Sequence, residues 1–144
     1  MAGYMTKLQG YVYEGELVNG TAAAVKNGTI LVLGTSTNAG KLVAPAKDTS
    51  AKFLLKEICD VEGATGYRFI ANVPNKNYYF VENGYEYNTD ETYNTSTYTT
   101  PVGALLRAHP ILSGEEFVTT EVDGTLTVGT EYNVLASGKI GTAT

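Results

Sequence analysis

Four consecutive apolar side chains, Ile30-Leu31-Val32-Leu33, follow the turn dipeptide Asn27-Gly28 and end at a polar loop before Lys41-Leu42-Val43-Ala44 and Pro45. A strand sends alternate side chains to opposite faces, so a run with no polar position leaves neither face to water. This segment therefore belongs inside a sheet, with cover on both sides. Asn-Gly supplies positive φ at little cost, and between AAAVK and TILVL it predicts a tight hairpin at the centre of the molecule.

Elsewhere the chain is also strand-like. Tyr11 to Glu14 alternates aromatic and aliphatic faces, and Tyr67 to Val73, Tyr78 to Glu82, Phe117 to Val122, Thr125 to Val128 and Tyr132 to Leu135 are short β-rich runs between turns. Val102 to Ala108 predicts a further strand with Leu105 inward. Lys52 to Val61 suits a short helix or a strand, and the turn at Gly63 to Gly66 followed by Tyr67 favours a strand paired as a hairpin. With 16 Gly and 11 Tyr and no sustained helical spacing, the chain predicts an all-β fold, a compact β-barrel or β-sandwich-like domain with little helix. At 144 residues it has the length of one domain, burying roughly 70% of its unfolded surface. Met1 to Gly10, with spaced anchors Tyr4, Met5 and Leu8, reads as an extended N-terminal arm on a domain from Tyr11 to Thr144.

Composition excludes several functions. A net charge of −5 with only two arginines, Arg68 and Arg107, lacks the clustered cations that phosphate binding needs, so no nucleic-acid partner is expected. No stretch approaches the roughly 18 apolar residues of a membrane helix, and Met1 to Gly10 lacks the apolar segment of a signal peptide. Cys59 is the only cysteine and lies among apolar neighbours, which suits a small buried side chain. His109 is the only histidine, next to Pro110, and no serine occupies a Gly-x-Ser-x-Gly elbow; a partly buried or rim histidine stacked on an aromatic ring is expected there. One Cys and one His cannot furnish a zinc site. Glu82, Glu86, Asp90 and Glu91 form an acidic stretch without calcium-loop spacing, so it reads as a solvated face. The glycines from Gly34 to Gly40 precede a strand and lack the lysine-serine/threonine ending of a phosphate loop, since Lys41 is followed by Leu42, and Glu115, Glu116 and Glu121 carry no spacing that marks a glycosidase pair. Neither an enzyme nor a bound cofactor is expected.

Tyrosine is the one aromatic signal. Tyr78, Tyr79, Tyr85, Tyr87, Tyr93 and Tyr98 crowd one region, and Asn88 to Thr100 has no aliphatic residue across 13 positions, which predicts a long surface excursion. Tyrosine suits places where one face is apolar and the hydroxyl remains wet, so Tyr78, Tyr85, Tyr87, Tyr93 and Tyr98 are candidates for a subunit or partner interface, with sugar stacking as the second use. Ordinary strand filling accounts for Tyr79 and Tyr85 without any partner.

Several stretches together resemble a known family. These are the opening M-x-G-Y-M-x-K-L-Q-G-Y, N-G-T-I-L-V-L, G-K-L-V-A at Gly40 to Ala44, F-V-E-N-G at Phe80 to Gly84, and L-x-V-G-x-x-Y-x-V with the closing G-K-I. They are similar to the head decoration, or capsid cement, proteins of tailed bacteriophages. The resemblance implies a β-rich structural virion protein on the outer capsid surface, made in the host cytoplasm and bound to the major capsid protein, often as trimers. It implies an arm lying against the capsid through Met1, Tyr4, Met5 and Leu8. The alternative is a glycan- or host-surface-binding β-module of a virion or tail.

Overall fold

The computed structural model describes residues 3–6, 17–46, 48–61, 63–74, 78–82, 86–87, 93–94 and 99–142. In chain order the strands are β1 Gly3–Thr6, β2 Leu17–Asn19, β3 Val25–Lys26, β4 Ile30–Leu33, β5 Lys41–Val43, β6 Asp48–Val61, β7 Ala64–Asn72 and β8 Tyr78–Val81. There follow β9 Glu86–Tyr87, β10 Tyr93–Asn94, β11 Thr99–Thr100, β12 Leu105–Leu106, β13 Ala108–Pro110, β14 Glu116–Thr119, β15 Glu131–Val134 and β16 Ile140–Gly141. Apart from one 3-10 turn at Ser36–Asn38, the regular structure among the described residues is β. The protein is all-β.

The first six-stranded sheet runs β1-β14-β7-β6-β15-β16 and is antiparallel throughout. Its spine is the β6–β7 hairpin. Val61 pairs with Ala64, and Gly63 between them takes φ +86°, so the connection is tighter than the expected turn from Gly63 to Gly66. Gly66 instead lies within β7 opposite Cys59, where an added Cβ would collide with the Val61 side chain. Its absent side chain serves packing. The register shifts between Leu55 and Glu57, a bulge that bends the long strand. After β14 the chain crosses to the far edge, where Val122 bridges Ile140 and the Asp123 N–H donates to the Ile140 carbonyl at 3.0 Å. The sheet is curled into a half-barrel.

The second sheet runs β12-β2-β5-β4-β8-β13, with β2 and β5 parallel and its other neighbours antiparallel. Strand β4 is central, and its apolar run does what the sequence demands. Ile30 lies in the core shared with the first sheet, alongside Phe53, Phe69, Phe80 and Phe117, while Leu31 lies in a second cluster with Leu42, Val81, Leu106 and Ala108. The strand's two faces thus enter two cores. Burial is complete for Ile30 and Leu31 and partial for Val32 and Leu33.

Asn27-Gly28 departs from expectation. Gly28 does take positive φ, at +92°, but the strands it joins do not pair with each other. Instead β3 pairs with β11, and the Gly28 N–H donates to the Val81 carbonyl at 2.7 Å, bringing the chain directly onto β8. Cross-strand bonding to β8 outcompetes the local hairpin, so the turn is a corner between sheets.

Two further expectations are corrected. Val102 to Ala108 does not form one strand: a turn with Gly103 at φ +81° interrupts it, and pairing resumes at Leu105 opposite Val18. This register places Leu106 in the second core and leaves Leu105 54% exposed, the reverse of the predicted orientation. Thr125 to Val128 is a loop, held by the Tyr132 hydroxyl, which accepts the Thr127 N–H at 2.7 Å, and by the Gly129 N–H donated to the Leu55 carbonyl at 2.8 Å. Only Leu126 of that stretch is buried.

Candidate functional site

The residues expected to make contacts divide into four groups. Met1, Leu8, Tyr85 and Tyr98 lie outside the described residues. Tyr4 and Met5 stand in β1, opposite Val118 and Phe117 of β14, so the extended N-terminal segment forms the outermost strand of the first sheet. Tyr87 and Tyr93 face each other in register in the two-stranded β9–β10 ribbon. The excursion from Asn88 to Thr100 therefore carries strand pairing at Tyr93–Asn94 and again at Thr99–Thr100, where Thr100 is buried.

Tyr78 is not an interface residue. It is 4% exposed and belongs to the shared core, because β8 is bracketed by β4 and β13 and its Tyr78 position faces the first sheet. Tyr79, its neighbour, points to the second cluster and is half-buried there. A central position in a sheet, invisible in the tyrosine pattern, decided the matter.

The carboxylates do not converge. Among the described residues no group of three or more His, Cys, Asp or Glu side chains is placed to hold a metal ion. Asp90 and Glu91 lie outside the described residues. Glu115 is fully buried, and its Oε1 accepts the Leu112 N–H at 2.7 Å, which caps the turn before β14. That role is structural. Cys59 is half-buried on β6 beside Gly66.

One constellation was missed from the sequence. His109 in β13 lies opposite Phe80, and the Glu82 N–H, just past β8, donates to the Arg107 carbonyl at 3.1 Å. This ladder brings the His109 Nε2 to 3.5 Å from Glu82 Oε1, with side chains 7% and 29% exposed. His109 is buried among the core residues, so the expected partly buried ring stacked on an aromatic is replaced by a buried ring facing a carboxylate. Among the described residues, both ring nitrogens and Glu82 Oε2 have no hydrogen-bond partner. Buried polar groups are nearly always satisfied, so such a pair marks a place where the fold tolerates polarity at a cost of about 1–3 kcal/mol. Among the described residues no hydroxyl or thiol hydrogen-bonds the ring of the pair. Its visible signal was slight: a Glu ending an apolar strand, and the only His preceding a Pro in what proves to be an edge strand.

No family model, curated protein or solved structure matches the chain.

Proposed function

We propose that this chain is a structural virion protein that binds the outer surface of a tailed-phage capsid and reinforces the lattice of the major capsid protein. The reading starts from the motif resemblance, and the observation that carries it is β1. Among the described residues β1 pairs on one side only, and such a strand presents a second row of backbone N–H and C=O groups to an extended partner segment. Contact by strand addition needs no catalytic group. Repetition over a lattice makes a modest single contact effective, because a subunit is held by its neighbours while one contact opens.

Anything that binds the assembled shell and not its dismantled form stabilises the shell by mass action. Purified protein added to expanded, undecorated heads is therefore expected to bind stoichiometrically and to raise their thermal resistance. Protein lacking Met1 to Gly10 should bind them weakly. Equal decoration by the truncated and intact proteins would remove the arm from the contact, and no decoration by either would refute the reading.

A further inference from the structure

We propose that Asn19-Gly20 is a modification site of the self-deamidating kind, gated by the fold, whose product unlatches the return of the chain at Thr99–Thr100 and the turn after it. The inference is independent of the capsid reading. Asn19 is 1% exposed at the end of β2 and is used completely. Its Nδ2 donates to the Thr100 carbonyl at 2.9 Å and to the Ala23 carbonyl at 3.2 Å. Its Oδ1 accepts the Thr21 N–H at 2.9 Å and lies 2.6 Å from the Thr21 hydroxyl. The backbone adds two more ties: the Asn19 N–H donates to the Ala104 carbonyl at 2.9 Å, and the Gly103 N–H donates to the Asn19 carbonyl at 2.8 Å. The side chain and the two flanking peptide groups of one residue thus clasp the bend after β2, strand β11 and the turn before β12.

Asn-Gly is also the dipeptide in which the glycine nitrogen is least hindered from attacking the preceding side-chain carbonyl. In that reaction the Gly20 nitrogen gives up its proton and bonds to the Asn19 Cγ, the C–N bond to the side-chain amide nitrogen breaks, and that nitrogen takes up a proton and leaves as ammonia. Water then opens the ring to aspartate or isoaspartate. Here the Gly20 N–H is donated to the Leu42 carbonyl at 2.9 Å, and the amide is fixed by its partners, so neither reactant can move onto the other. Local opening frees them. The product cannot return to the clasp, because a carboxylate is acceptor-only and would place oxygen against the Thr100 and Ala23 carbonyls, while isoaspartate also inserts a methylene ahead of the Gly20 N–H and turns the carbonyl that Gly103 binds into a free carboxylate. Asn27-Gly28 is guarded in the same way, with Asn27 2% exposed and the Gly28 N–H donated to Val81, and serves as an internal reference.

The full chain is held at mildly alkaline pH, folded and in denaturing urea, and its peptides are mapped by mass with isoaspartate detection. Conversion at Asn19 is expected to be slower in the folded protein by about tenfold or more, the factor being set by the free energy of local opening. Equal rates in the two states overturn the gating. The converted fraction, which carries an added negative charge, is then separated by ion exchange and examined by hydrogen exchange alongside Asn19→Asp. Faster exchange at Gly103 and Gly20, with Phe69 still protected in the first sheet, supports the latch. Unchanged exchange at Gly103 refutes it, and so does equal loss of protection everywhere. Because the aged material forms after folding, the test stands even if Asn19→Asp fails to fold.

Discussion

Phe117 of β14 and Phe80 of β8 meet across the two sheets with ring centroids 5.1 Å apart and planes tilted by 46°. Phe117 also touches Phe53 edge-on at 5.7 Å and Phe69 at 5.8 Å, so one ring joins three strands of the curled sheet to the second sheet. Replacing Phe117 by Ala removes the contact on every side. The expected loss is about 3–5 kcal/mol, as for other buried aromatic truncations, read from urea unfolding. A loss below about 1 kcal/mol would mean that the sheets are not held together through this ring.

Gly138 takes φ +84° in the turn between β15 and β16 and sits against the start of β4, where its carbonyl accepts the Ile30 N–H at 2.8 Å. An added Cβ would lie 2.5 Å from the Thr29 Cγ2 and 2.8 Å from the Ile30 carbonyl oxygen. Strain in the backbone and collision with backbone then act together. Gly138→Ala is expected to destabilise by more than about 1 kcal/mol, whereas Gly124→Ala, with φ +87° and open space around the new methyl, should cost less. Thermal midpoints of the two variants compare the collision directly.

Why some of this was legible in the sequence follows from which forces are local. The Ile30 to Leu33 run announced a doubly covered strand because period-two geometry leaves no other place for four apolar side chains. The β6–β7 hairpin was legible through its turn. Partner choice was not: Asn27-Gly28 looks like a hairpin locally, and only the bond from Gly28 to Val81 turns it into a corner. Tyr78 was misread for the same reason, since a tyrosine in a central strand and one at an interface have the same neighbours in sequence. The Glu82–His109 pair depends on a cross-strand register between β8 and β13 that no spacing along the chain encodes.

That pair gives the third prediction. A buried imidazole and a half-buried carboxylate 3.5 Å apart, with no hydrogen-bond partner for either ring nitrogen or for Glu82 Oε2 among the described residues, are coupled. Glu82→Ala leaves a buried imidazole with no carboxylate, and His109→Ala leaves the carboxylate half-buried without its ring. The double variant removes both burdens. Its destabilisation should fall short of the summed single effects by about 0.5–3 kcal/mol, measured by a double-mutant cycle in urea. Additive effects would show that the side chains do not interact.

The last prediction concerns the edge that β1 covers. Phe117 and Val118 are both buried in β14, and β14 is held on its other side by four register pairs to β7 from Glu116 to Thr119. Its place in the core therefore does not depend on β1, so removing Met1 to Gly10 should leave the body folded with a β-type circular dichroism spectrum. What the deletion changes is the edge. A row of N–H and C=O groups that paired with Gly3–Thr6 becomes available, flanked by apolar side chains, and such an edge pairs with the same edge of a second copy. The truncated protein is expected to self-associate as concentration rises, and a synthetic peptide of Met1 to Gly10 should reverse this by reoccupying the edge. Sedimentation velocity across a concentration series decides the point. A truncated protein that stays monomeric, or one whose association the peptide does not reverse, would mean that the Gly3–Thr6 pairing is not what keeps the β14 edge closed.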